Sequence, residues 1–323
     1  MPTRRCCLGT AAALATCPRA SRAEQAWPAE RPVEVIVPVP PGSSLDAMVR
    51  LVLGFAQARL PSARFVATSR AGAGGQVGFE ATFNAPPDGH TLGAVTIPAL
   101  TSFPLERPVR YRPLDFTFLA NVVEDANCFY VLAASPIRDV QDLVEAAKAR
   151  PGRMSYGSTG IGSDDHIFMM AFEARTDVPP LVHVPFAGAA PLVAQLLGGH
   201  LDLAAINVGD ALALMREGKV RCLAQAAAER WSAAAEVPTF RELGLDIIAG
   251  AARGLVGPPG LPDGIARRLE QALTESMSDP AFQREAERLF MPLRPLTGPA
   301  YRRMAAESQQ ALRALWQQRP WRG

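Results

Sequence analysis

The stretch Val33–Leu51, VEVIVPVPPGSSLDAMVRL, and its counterpart Arg153–Met170, RMSYGSTGIGSDDHIFMM, decide how this chain is read. Each is a short β-type run that empties into small residues and opens a helix. At such a helix start, unpaired backbone N–H groups and the positive end of the helix dipole form an anion site without any charged side chain. Two such sites predict a ligand with two acidic ends.

Outward from the first stretch, Val33–Val39 is a nearly unbroken β-branched run, the pattern of a strand covered on both faces of a parallel sheet. A helix is expected over Leu45–Leu60, with Leu45, Met48, Val49, Val52 and Phe55 on one face and Pro61 as its stop. Further strands are expected at Phe65–Thr68, Leu92–Ile97 and Phe129–Ala133, the last carrying the chain into a second domain. Around the second stretch the logic repeats. Strands at Met154–Tyr156, Leu181–Val184 and Leu201–Ile206 alternate with helices at Asp139–Ala149, Asp164–Ala174 and one that Pro191 opens and Gly198-Gly199 closes. Amphipathic helices are expected near Asp263–Met277, Ala281–Leu289 and Pro299–Leu315. This alternation argues for open α/β sheets whose ligands sit beyond the carboxyl ends of the strands.

Residues 1–23 read as an export signal: an Arg4-Arg5 head of twin-arginine type, a short apolar stretch and a Ser21-Arg22-Ala23 exit. Leu14–Cys17 offers a lipoprotein box as the alternative, disfavoured by the size of Thr16 and by Pro18. Removing Arg4, Arg5, Arg19 and Arg22 turns 33 basic against 31 acidic residues into 29 against 31, so the basic balance of the whole chain carries no nucleic-acid signal. Of five cysteines, Cys128 and Cys222 lie beyond the proposed cut, where they read as small buried hydrophobes or as a disulfide.

Ser43 and Asp46 stand in the S-x-x-D spacing of a helix cap, while Pro40-Pro41-Gly42 fixes the approach of the chain and leaves the N–H groups open to a carboxylate. Ser158, Thr159, Gly160, Gly162 and Ser163 surround the second helix start in the same way. The P-loop lysine is missing, G-x-S-x-G is absent, and the AGAGGQVG cluster lacks a following acid for a ribose, so nucleotide binding and hydrolysis are disfavoured. Asp164, Asp165 and His166 tempt as metal ligands or catalytic partners. Adjacent helix positions point apart, so they are expected not to converge on one centre, and the two aspartates are expected to favour the dipole of the helix they open. His90, His183 and His200 are scattered, and neither a metal nor a cofactor is expected.

In order and spacing these motifs resemble the extracytoplasmic solute receptors of tripartite tricarboxylate transporters, the Bug receptors. The resemblance rests on Val37-Pro38 to Gly42 with Asp46, Ser69–Gly75, Pro87–Gly89, Tyr111–Phe116, Gly157–His166, His183–Phe186 with Gly188, Leu197–Gly199, Val237–Thr239 and Gly257–Gly260. It implies a type 2 periplasmic-binding-protein fold, with two α/β domains closing on a small carboxylate. The division expected is 1–23 signal, 24–125 first domain, 126–228 second domain and 229–323 return to the first. By position, Pro41, Gly42, Ser43, Ser44 and Asp46 would form one wall and Ser158, Thr159, Gly160, Gly162, Ser163 and His166 the other, with Phe186, Ala189 and Asn207 deeper. Ile206 stands where the family commonly has an aspartate, which predicts a plainer carboxylate over an amino acid. The implied protein is a periplasmic monomer, not an enzyme, serving membrane permease subunits. A sensory role toward a signalling partner is the alternative, and an enzyme on the same scaffold is the weaker rival.

Overall fold

Strand β1 (Val33–Val37) is buried at every position but Glu34, and it is paired on both edges: with β2 (Phe65–Ser69) and with β3 (Thr91–Ile97), both parallel to it. The computed structural model describes residues 27–321, so the expected export signal and its lipoprotein alternative lie outside the described residues. Helix α1 (Ser44–Arg59) follows β1, and α2 (Gln76–Phe83) follows β2. Helix α3 (Ala99–Glu106) follows β3 although Pro104 lies inside it.

The chain then enters β4 (Thr117–Leu132), far longer than the Phe129–Ala133 strand expected, and this one strand joins two sheets. Its first part pairs antiparallel with β9 (Gly250–Gly257), which itself pairs with β3. Its last residues pair antiparallel with β7 (Leu203–Asn207), through Asn127↔Asn207, and with β8 (Val220–Gln225). Beyond β7 lie β5 (Ser155–Ser158) and β6 (Val182–Pro185), parallel to one another, so the order is β2-β1-β3-β9-β4-β7-β5-β6, with β10 (Leu293–Thr297) also on β4.

The second half carries α4 (Val140–Ala149), α5 (Asp164–Thr176), α6 (Ala189–Leu197) and α7 (Val208–Arg216). Helices α8 (Asp263–Met277), α9 (Pro280–Arg288) and α10 (Gly298–Gln318) return to the first half, the first as expected from its periodicity. Val35, Val37, Leu45, Met48, Val122, Leu269 and Phe282 share one apolar core on the first sheet. On the second, Phe129, Phe168, Phe172 and Phe240 meet at ring distances of 4.5 to 6.2 Å, and Ile247 packs with them, so residues up to about 247 belong to that core. Cys128 and Cys222 are both free and both buried in the cluster on the other face. Among the described residues no helix is long and apolar enough to cross a membrane.

Candidate functional site

Two loops leave the carboxyl ends of β1 and β5, and their backbones are near copies. Gly42 and Gly162 both take positive φ, +80° and +72°, a conformation glycine adopts at little cost. Ser43 (φ −72°, ψ 162°) and Ser163 (φ −68°, ψ 164°) are the caps of α1 and α5. The N–H of Ser43 reaches Pro40 O and that of Ser163 reaches Gly160 O. Each serine oxygen accepts the N–H of the residue three on, Asp46 or His166, at 3.3 Å. That residue's side chain in turn accepts the glycine N–H: Asp46 Oδ2 from Gly42 at 2.9 Å, His166 Nδ1 from Gly162 at 3.2 Å. The reciprocal cap expected at Ser43 and Asp46 is therefore present twice.

This arrangement narrows which backbone donors stay open. Asp46 and His166 are turned back on their own loops, and the donors left without an intrahelical partner are the first N–H groups of each helix, at Ser44, Leu45, Asp164 and Asp165. Burial opposes ionisation of Asp46, yet Arg50 and the Gly42 N–H outweigh it and hold its pKa below the ordinary value. His166 accepts at Nδ1, so its proton sits on Nε2. Burial, helped by His183 and Arg319, lowers its pKa to about 4. His183 stacks on it at 4.4 Å and Tyr156 stacks on His183 at 4.8 Å, so of the three histidines expected to be scattered, His183 instead pairs with His166. Burial also lowers the pKa of His183 to about 4.

The remaining expected residues gather at the second loop. Ser158 Oγ lies 2.6 Å from His183 Nε2, and Gly160 N–H donates to Ser158 Oγ. Both the N–H and the hydroxyl of Thr159 donate to Asp165 Oδ2. Phe186 N–H donates to Ser158 O, and Ala189 is the first residue of α6. Pro41 is exposed at the tip of the first loop.

Both loops lie on the seam between the halves, each against a different element of the opposite half. Ser44, at the start of α1, lies near Asp210 of α7 and favours that carboxylate's ionised form. Ser102 of α3 donates its hydroxyl to Gly162 O at 2.6 Å. Neither α3 nor α7 was expected from the sequence.

Between these contacts lies a buried ionic network that sequence reading missed. Arg253 of β9, 6% exposed, bonds Asp125 Oδ2 at 3.3 Å and Asn207 Oδ1 at 2.6 Å. Asn207 donates to Asp125 O and to Asp164 Oδ2. Asn127 Nδ2 donates to Asp164 Oδ2 at 2.8 Å and to Asp165 Oδ1 at 2.9 Å. The two aspartates expected to diverge thus do converge, on an amide, because at the first two positions of a helix their side chains can turn back toward the preceding strand layer. The specificity argument from Ile206 also falls. Ile206 is 0% exposed and packs with Cys128, Tyr130 and Leu192, while its neighbour Asn207 faces the seam, as strand alternation requires. A lone arginine in the small-residue run GAARGLVG was the signal available for Arg253, since a buried arginine needs partners.

Residues 54–318 match the model of the tripartite tricarboxylate transporter family receptor. Protein BugT of Bordetella pertussis is 31% identical over 257 residues, covering 78% of each chain. A TctC solute-binding protein from Polaromonas, solved without ligand, is 28% identical with a TM-score of 0.72 over 91% of this chain and all of its own. MatC from Rhodopseudomonas palustris, solved with bound malate, is 25% identical with a TM-score of 0.80 over 88% of this chain and 99% of its own. The likeness bears out the expected two-domain periplasmic-binding-protein fold.

Proposed function

The chain belongs to the tripartite tricarboxylate transporter receptor family, and from that premise we propose that it is a periplasmic solute receptor that captures a small carboxylate at the seam between its halves and hands it to membrane permease subunits. The observation that carries this reading is the duplicated loop, with Gly42-Ser43 and Gly162-Ser163 presenting the bare starts of α1 and α5 on the same seam. In this reading Pro41, Gly42, Ser43 and Ser44 form one wall and Ser158, Thr159, Gly160, Gly162 and Ser163 the other. Asp46 and His166 shape their loops, Phe186 and Ala189 border the second, and Asn207 lies behind it. Each helix start contributes about 0.3 to 1 kcal/mol when exposed and up to ~2 when partly buried, so direct hydrogen bonds supply the rest.

The moving step is closure of one half on the other about β4 and β9, the two strands that continue from one sheet toward the other. Of the division 24–125, 126–228 and 229–323, the packing of Phe240 and Ile247 favours a later return to the first half, at about Gly250. No bond is made or broken in this cycle. Ser158 and His183 form a serine–imidazole pair, but Ser158 is 0% exposed and the pair serves to shape the loop.

A thermal-shift screen of the purified protein across mono-, di- and tricarboxylates tests the reading. Stabilisation by at least one of them is expected, and a flat response to all of them contradicts it. Turnover of a bound acid would decide for an enzyme instead.

A further inference from the structure

Four carboxylates and one guanidinium gather on the seam. Asp125 comes from β4, Asp164 and Asp165 from α5, Asp210 from α7, and among the described residues Arg253 of β9 is the one cation that answers them. Arg253 is already engaged by Asp125 and Asn207. Among the described residues the other donors bonded to the cluster are neutral: the amides of Asn127 and Asn207, the Thr159 hydroxyl and N–H, and the Gly209 N–H. A second, independent observation points the same way. Asn127 Oδ1, on a residue 0% exposed whose amide nitrogen bonds Asp164 and Asp165, has no hydrogen-bond partner among the described residues. A buried acceptor left unpaired is costly, so the cluster is short of both positive charge and N–H donors.

We infer that the ligand of this receptor is a carboxylate that also carries an ammonium group, its cation seated against Asp210 and Asp164 and its N–H donors reaching the Asn127 oxygen. The inference rests on the carboxylate-receptor reading and names the ligand class within it. An ammonium brings three donors on one positive centre, which is what the cluster lacks. A bare metal ion fits less well, since among the described residues no group of three or more His, Cys, Asp or Glu is arranged to hold one. Asp210 is the member open to an incoming group: it is partly exposed, whereas Asp125, Asp164 and Asp165 are buried. The titration of the cluster agrees with a missing cation. Burial raises Asp125 to about 7, with Asp210 adding to the effect against Arg253; burial and Asp164 push Asp165 well up; and burial raises Asp210 despite Arg253.

Matched pairs titrated calorimetrically into the purified protein test this: succinate against aspartate, glutarate against glutamate, and adipate against 2-aminoadipate, with putrescine as the amine without a carboxylate. In at least one pair the amino acid should bind about tenfold tighter or more, the size expected of a charge-assisted hydrogen bond. Asp210→Asn and Asp164→Asn should bring that ratio to within about threefold, with circular dichroism melts confirming that each variant is folded. Plain acids binding as tightly as their amino partners would overturn the inference and leave the receptor reading standing. A ratio unchanged in both variants overturns the assigned seat. Binding of putrescine alone, or of no compound in the set, overturns the carboxylate reading and this inference with it.

Discussion

The Ser102 hydroxyl donates to the Gly162 carbonyl at 2.6 Å, joining α3 of the first half to the second capped loop across the seam. Both partners are buried. Ser102→Ala removes the donor and leaves the Gly162 carbonyl without its partner, at a cost of about 1 kcal/mol. Because the bond spans the two halves, the loss falls on the closed form. Small-angle scattering of the unliganded variant should give a larger radius of gyration than the wild type.

The two loop glycines should respond unequally to the same change. At Gly42 an added Cβ meets open space, so Gly42→Ala carries only the strain of positive φ, about 1 kcal/mol. At Gly162 the added Cβ would lie 2.6 Å from Glu106 Oε2 and 3.3 Å from Ser102 Oγ, so Gly162→Ala adds a clash across the seam. Denaturant unfolding should show the larger loss at Gly162, and carboxylate binding should weaken further there than at Gly42.

Loops and their helices were legible in the sequence because apolar runs ending in Gly-Ser and resuming at helical spacing leave a local trace. Helix α3 left none that could be trusted, since Pro104 argues against a helix and only packing of Leu100 and Phe103 in the aromatic cluster overrides it. Strand β9 was hidden for a related reason: GAARGLVG has the composition of a loop, and it is a strand because β3 and β4 flank it. Of the ionic network the lone arginine of GAARGLVG was a trace, but its partners were not. Asp125, Asp164, Asp210 and Arg253 are far apart in the chain, and only β4, β7 and β9 bring them together. Ile206 shows the converse, a departure that looked important by position and proves to face the core.

Acid should loosen the second loop. His166 and His183 are held near pKa 4 in the fold against 6.5 in the free residue, so between those values the unfolded chain binds more protons than the folded one. Stability therefore rises with pH through that window and is lost as pH falls from 6.5 toward 4. His166→Gln and His183→Gln should each flatten the melting temperature against pH over this range.

A further link across the seam lies at the end of α10. Arg319 donates to Glu173 Oε2 at 2.5 Å and to Met170 O at 3.2 Å, while Trp321 packs with Met170 and Ile167 of α5. Glu173 is 7% exposed, so Arg319→Ala leaves a buried carboxylate poorly compensated, at about 1 to 3 kcal/mol. A double-mutant cycle with Glu173→Gln, followed by chemical denaturation, should recover a coupling of that sign.

The central claim is that one small anion engages the starts of α1 and α5 together. Hydrogen exchange followed by mass spectrometry, with and without a saturating carboxylate taken from the thermal-shift screen, reads it directly. Peptides covering residues 40–46 and 158–166 should both slow on ligand addition. Protection of one of them alone, or of neither, would contradict the account.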